Sequence, residues 1–160
     1  MSITFNSSEL INIAIGIEQR GVAFYDVLLK STRNRRLAKV LQELLDTERR
    51  HTTVFQEMLA GADDAVLHEP YTEEYAAYLQ ALVDSAVFTQ EKLTGEVATH
   101  LRNDAEALEM ALDLEKDSIL LYYELKELVP LTSQPVLNDI ITEERKHLRY
   151  ISHLRNTLVS

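Results

Sequence analysis

The sequence predicts an all-α protein, a bundle of four long helices arranged as two related hairpins. Apolar residues recur at spacings of three and four, and strand-like alternation is nearly absent. Only four glycines and three prolines occur in 160 residues, which is typical of long helices with few turns. The turn-forming residues leave short links within each hairpin and a long crossover between them, which is a recognised four-helix-bundle topology.

The first hairpin is predicted from its capping residues. Ser7 or Ser8 suits the N-cap of the first helix, which is expected to end near the segment STRNRR. Asn34 or Thr32 in that short connection is suited to cap the second helix. Gly61 then stands where a glycine commonly follows a helix C-terminus.

The crossover and the second hairpin follow from similar signals. One short helix is expected to start at Thr72 and another near Thr89. The spacing of NDAE, beginning at Asn103, is that of a capping box, so a third long helix is expected there. VPLTSQP interrupts the chain before a fourth helix that begins at Ser133 or Gln134. A single domain over residues 1–160 is predicted, with long helices at about 8–30, 34–60, 103–128 and 134–158 and a crossover at about 61–102.

Composition excludes several classes of function. A net charge of −10 argues against nucleic acid as a partner, because phosphates would be repelled over most of the surface. No run of 18 apolar residues occurs, so no membrane span is expected. The absence of cysteine excludes disulfides and cysteine-held metal centres. The N-terminal segment lacks the pattern of a secretory signal, which favours a cytoplasmic location.

Each long helix carries a glutamate within its apolar stripe. The neighbours of these glutamates at three, four and seven residues are mostly apolar, whereas Glu43 has Arg36, Lys39 and Arg50 around it, as on a solvated face. A buried carboxylate without a partner is costly, and no lysine or arginine falls at the neighbouring positions. A bound cation is the remaining common compensation. The four glutamates are Glu18, Glu48, Glu115 and Glu144.

Two of these glutamates precede a histidine by three residues, in TERRH and EERKH. The pairs are Glu48 with His51 and Glu144 with His147. Glu143 is interpreted as a solvated charge, because its neighbours include Asp139 and Lys146. His68, His100 and His153 have no glutamate three residues before them and are interpreted as structural or solvated.

The two halves of the chain match each other. Glu18 precedes Glu48 by 30 residues, and Glu115 precedes Glu144 by 29. Two such hairpins packed antiparallel bring four carboxylates and two imidazoles around one point. Oxygen-rich ligation with one imidazole per metal suits iron or manganese, with zinc as an alternative. Six protein ligands suit two ions roughly 3.5–4 Å apart.

The order Glu, Glu-x-x-His, Glu, Glu-x-x-His resembles the ferritin-like superfamily, in particular its rubrerythrin-like branch, over nearly the whole chain. The resemblance implies a di-iron carboxylate centre with two iron ions per chain. It implies that Glu18 and Glu115 are terminal ligands and that Glu48 and Glu144 bridge the metals, while His51 and His147 each cap one metal. It also implies that Tyr25 and Tyr122, or Tyr123, hydrogen-bond ligating carboxylates.

The sequence departs from that branch at two points. Peroxide-reducing rubrerythrins usually carry an extra glutamate one turn after the third-helix ligand, where this chain has Ser118, and the matching first-helix residue is Gly21. The six-ligand set is therefore closer to a bacterioferritin ferroxidase centre. The cysteine-rich rubredoxin module is also missing, which implies a separate electron-donor protein.

Three functional hypotheses follow. The first is an oxidoreductase that reacts with H2O2 or O2, either scavenging peroxide or oxidising Fe2+. The second is a non-catalytic metal-binding or iron-handling protein. The third is a structural bundle whose buried glutamates are protonated and bind no metal. A homo-oligomer is expected, with a dimer favoured for the rubrerythrin-like role.

Overall fold

The computed structural model describes residues 6–62, 72–85 and 103–158. These ranges contain no strand, and the predicted all-α class is confirmed. A short 3-10 helix, Leu131–Ser133, precedes the last α-helix. The α-helices are α1 (Ser7–Ser31), α2 (Arg35–Ala60), α3 (Glu73–Ser85), α4 (Asp104–Leu128) and α5 (Gln134–Leu158).

The start of α1 differs from the prediction. Asn6, rather than Ser7 or Ser8, is the N-cap residue, and its side-chain oxygen accepts a hydrogen bond from the backbone N–H of Glu9 at 2.8 Å. The Glu9 carboxylate accepts one from the backbone N–H of Asn6, also at 2.8 Å. This reciprocal capping box satisfies two backbone donors at once, which a serine one position later would not do here.

The connection between α1 and α2 is short because both of its ends are capped within three residues. The Thr32 N–H donates to the Leu28 carbonyl and closes α1. Asn34 is the N-cap of α2, and its side chain accepts from the N–H groups of Arg36 and Leu37. Of the two caps predicted for α2, Asn34 is therefore the one used. Such a short link makes α1 and α2 antiparallel neighbours.

The second hairpin and α3 follow the predicted signals where they are described. The side chain of Asn103 accepts a hydrogen bond from the Glu106 N–H at 2.9 Å at the start of α4. Thr72 precedes α3, and its hydroxyl accepts from the Tyr75 N–H. The helix predicted near Thr89 lies outside the described residues.

The bundle buries its apolar residues in two clusters, one on each side of a polar layer. In α1, one cluster includes Ile15 and the other includes Phe24, with Glu18 between them in sequence. The helices pack mainly as the pairs α1 with α2 and α4 with α5, and α3 lies against α4. The apolar clusters thus enclose the level at which the four candidate glutamates occur. No helix in the described part of the chain is both long and apolar enough to cross a membrane.

Candidate metal centre

The structure brings the six residues predicted as ligands into one buried layer. Each glutamate follows from the apolar stripe of its helix, since a residue in the middle of that stripe must face the bundle interior. All six side chains are buried, and the most exposed of them retains only 7% of its accessible surface. They are Glu18, Glu48, His51, Glu115, Glu144 and His147.

These residues form two overlapping sets of four donors. Within each set, one ligand atom from every residue lies within 4.8 Å of the others. Glu48 and Glu144 belong to both sets, whereas the other four residues belong to one set each. The sets are Glu18, Glu48, His51 and Glu144, and Glu48, Glu115, Glu144 and His147. Two shared carboxylates with one imidazole in each set make the donor arrangement of a two-metal carboxylate site.

The donor atoms point at common centres. Nδ1 of His51 is 2.7 Å from Glu144 Oε1 and 3.5 Å from Glu18 Oε2. Nδ1 of His147 is 3.5 Å from both Glu48 Oε1 and Glu115 Oε2. The two imidazole rings are 6.2 Å apart and inclined by 27°. Each ring therefore directs the same nitrogen into the carboxylate layer.

These inward-facing atoms lack hydrogen-bond partners. Among the described residues, seven fully buried side-chain nitrogen or oxygen atoms have no partner in hydrogen-bond geometry, and six of them belong to this layer. Each of the six residues contributes one such atom. Buried polar atoms are ordinarily hydrogen-bonded, and six exceptions at one place require compensation. Metal coordination would satisfy all six, so the residues fit a two-metal site.

Electrostatics support the same interpretation. Burial, followed by repulsion from neighbouring carboxylates, raises the pKa of Glu48 and of Glu144 well above the usual value. Burial alone would also raise the pKa of Glu115, but its interactions with His147 and Glu144 lower it overall. Without a cation, the layer therefore favours the protonated forms of Glu48 and Glu144.

Two tyrosines hold the outer carboxylates from the opposite hairpin. The hydroxyl of Tyr25 on α1 donates to Oε1 of Glu115 on α4 at 2.5 Å. The hydroxyl of Tyr122 on α4 donates to Oε1 of Glu18 on α1. Both tyrosines are fully buried, whereas Tyr123, the alternative to Tyr122, is 44% exposed. In both glutamates the second carboxylate oxygen faces the centre. Hydrogen-bond partners of this kind commonly orient the ligands of a metal.

Glu143 corrects the sequence-based interpretation. It is not a freely solvated charge, because its Oε2 lies 2.6 Å from Nε2 of His51. Its Oε1 also lies 2.8 Å from a guanidinium nitrogen of Arg50. Glu143 directly precedes Glu144 and therefore lies at the edge of the same helix face. This position is the sequence feature that could have identified it. Sequence neighbours within α5 do not reveal a contact made to α2.

The structure also locates one of the remaining histidines and the two positions at which the sequence departs from the rubrerythrin-like pattern. His153 is exposed and lies 3.4 Å from Arg36, away from the carboxylate layer. His68 and His100 lie outside the described residues.

Ser118 is buried, and its hydroxyl donates to the Leu114 carbonyl within its own helix. Neither Ser118 nor Gly21 brings another carboxylate to the layer.

Gly21 provides the space that the Glu48 carboxylate occupies. A Cβ at this position would lie 2.8 Å from Oε2 of Glu48, which is closer than such atoms approach. We expect Gly21→Ala to displace that carboxylate and weaken metal binding by about tenfold, the low end of the effect of altering a ligand's surroundings. Isothermal titration with Co2+ measures the change in affinity.

Gly16→Ala is the matched control, because Gly16 lies in the same helix and the atoms nearest to its added Cβ belong to the guanidinium of Arg20, at 3.2 Å, and not to a ligand residue. Both substitutions gain roughly 0.5–1 kcal/mol of helix stability, so a difference between them reports the contact with Glu48. Equal Co2+ affinities in the two variants would show that Gly21 does not position the carboxylate.

Comparisons with known proteins agree with this architecture. The rubrerythrin family model matches residues 9–154. A solved structure from Thermotoga maritima, of a candidate ferritin-like diiron-carboxylate protein, is 30% identical to this chain and has a TM-score of 0.71. The match covers 95% of each chain. Among curated proteins no significant match was found. The predicted resemblance and the ferritin-like bundle are confirmed.

Proposed function

Because the chain belongs to the rubrerythrin family, we propose that it is a di-iron carboxylate oxidoreductase that reduces H2O2 or O2 with electrons from a separate donor. The observation that carries the proposal is the set of six buried donor atoms without hydrogen-bond partners, one on each candidate ligand. A structural bundle has no need of six such atoms in one layer. Iron is the metal that the family resemblance favours, with manganese or zinc as alternatives.

The six residues would hold two Fe2+ ions, whose oxidation to Fe3+ would supply the two electrons that, with two protons, convert one H2O2 into two water molecules. The carboxylates of Glu48 and Glu144 lie in both donor sets, so they are suited to hold both ions. Four carboxylates also offset the increase in positive charge that accompanies oxidation. The surrounding apolar clusters shield most of the layer from bulk water.

The tyrosines have a positioning role in this proposal. Tyr25 and Tyr122 donate hydrogen bonds to the outer oxygens of Glu115 and Glu18, so these carboxylates keep one orientation. Burial raises the pKa of both hydroxyls well above the usual value. They therefore remain protonated donors over the physiological pH range.

The reaction is tested by metal analysis and stopped-flow absorbance. Purified protein loaded anaerobically with Fe2+ is expected to contain about two ions per chain, as a two-metal site requires. Addition of H2O2 or O2 in parallel should change the iron absorbance, and the faster oxidant identifies peroxidase or ferroxidase activity. Glu48→Gln should abolish the response, whereas Glu57→Gln, an exposed change in the same helix, should retain it. A fully loaded sample with no absorbance change on peroxide addition would contradict the proposal.

The second candidate function is iron handling without turnover. It is favoured by Gly21 and Ser118, which leave the centre without a fifth carboxylate. This candidate predicts two bound ions, slow oxidation and no dependence on an added electron donor. Sizing of the native protein also separates the candidates, because a shell of many subunits favours storage and a dimer favours the rubrerythrin-like role. The dimer, the donor protein and a cytoplasmic location stay predictions.

A further inference from the structure

The two histidines of the centre occupy matching places in the two hairpins, but their outer nitrogens have different surroundings. Nε2 of His51 lies 2.6 Å from the Glu143 carboxylate, which Arg50 holds by an ion pair at 2.8 Å. No hydrogen bond from a described residue reaches Nε2 of His147. Among the residues that the structure describes, the imidazole of His51 therefore has a partner on its outer nitrogen and that of His147 has none.

The difference originates in one pair of matching positions. Glu143 directly precedes Glu144, and the residue that directly precedes Glu48 is Thr47. The hydroxyl of Thr47 donates to the Glu43 carbonyl of its own helix at 2.9 Å. A threonine engaged in this way supplies no carboxylate to the opposite histidine.

A cavity adjoins the unanchored imidazole. It lies in the groove between α2 and α5 and has a volume of about 160 Å³; its lining includes Glu43, Leu44 and Thr47 on the α2 side and Glu143, His147 and Tyr150 on the α5 side, but not His51. This volume admits several water molecules or one small ligand. The side chain of His147 is 8% exposed, compared with 1% for His51. The groove therefore reaches the centre on the His147 side.

We propose that the His147 half of the centre is its open half, where ions and small ligands enter and leave through this groove, and that Glu143 and Arg50 are positioning residues that close the His51 half. The inference rests on the proposed function, since it requires a two-metal centre. A carboxylate on the outer nitrogen fixes the orientation and tautomer of a ligating histidine and increases its basicity. A ligand fixed in this way releases its ion more slowly than one that can turn.

The experiment measures the release of Co2+ from the loaded full-length protein to excess EDTA, followed by cobalt absorbance. The wild-type protein is expected to release its two ions in two phases of similar amplitude. Glu143→Ala should accelerate the slow phase by about tenfold, as the loss of such a partner typically does, and leave the fast phase unchanged. Thr47→Glu gives His147 the carboxylate that His51 already has and should slow the fast phase.

Thr53→Glu is the matched control for the added charge. Thr53 is an exposed threonine of the same helix whose hydroxyl also donates to the carbonyl four residues earlier. It should leave both phases unchanged. Circular dichroism of each metal-free variant shows that the bundle is folded before Co2+ is added.

The outcomes separate the two proposals. Two phases, each changed by only one of the two variants, support the open and closed halves. A single release phase in the wild type, or equal acceleration of both phases by Glu143→Ala, overturns the inference while the two-metal centre stands. Failure of the folded wild-type protein to bind Co2+, Fe2+ or Mn2+ overturns the proposed function and the inference with it.

Discussion

Loading the metal-free protein with excess Fe2+ under anaerobic conditions is expected to raise its melting temperature substantially. Metal binds the folded state, in which the six donor atoms converge, and not the unfolded chain, in which they are far apart. An ion present at 1,000 times its dissociation constant contributes roughly 4 kcal/mol, or about 8–16 °C for a chain of this size.

Differential scanning calorimetry with and without Fe2+ measures this shift. Glu48→Gln removes a carboxylate shared by both donor sets, so most of the shift should disappear. Glu57→Gln makes the same chemical change at an exposed position of the same helix and should preserve it. Equal melting temperatures for the wild-type protein with and without metal would favour the purely structural bundle.

The sequence was sufficient to predict the bundle because helix periodicity and capping are local. Asn34 and Asn103 are local signals, and each caps a helix as predicted. The layer of six residues was also predictable, for a different reason. A carboxylate in the middle of an apolar stripe is rare enough to identify a special position, and the matching spacings in the two hairpins place Glu18 and Glu115 at one level. The apolar periodicity of each helix thus predicted that its glutamate is buried in the bundle.

Contacts between hairpins were less accessible to sequence reasoning. Glu143 lies among polar neighbours in its own helix, yet its carboxylate is committed to His51 on another helix. The hydrogen bonds from Tyr25 to Glu115 and from Tyr122 to Glu18 likewise depend on how α1 packs against α4. Such contacts depend on the relative rotation of packed helices, which the periodicity of one helix does not determine. The different surroundings of the outer nitrogens of His51 and His147 depend on contacts of the same kind.

Stability of the metal-free protein is expected to fall as the pH rises from 5 to 8. The pKa of Glu48 and of Glu144 is raised well above 4.5, so the folded state holds protons that the unfolded chain has already released. Their contribution is complete below pH 4.5 and is lost as the pH rises through the raised pKa values. His51 acts in the same direction: burial would lower its pKa, but Glu18 and Glu143 raise it above 6.5. Glu115 opposes them only at lower pH, because its lowered pKa makes a contribution that is lost as the pH falls below 4.5.

The metal-loaded protein should show the opposite slope, because ligands must lose their protons before they bind a metal ion. Thermal melts at pH 5, 6, 7 and 8, each with and without Fe2+, therefore give two curves that diverge as the pH rises. Replacing both shared carboxylates, by Glu48→Gln with Glu144→Gln, removes their titration and should flatten the metal-free curve while abolishing the metal-dependent one. A metal-free protein as stable at pH 8 as at pH 5 would mean that these carboxylates are compensated without a cation, and their burial would no longer support a metal centre.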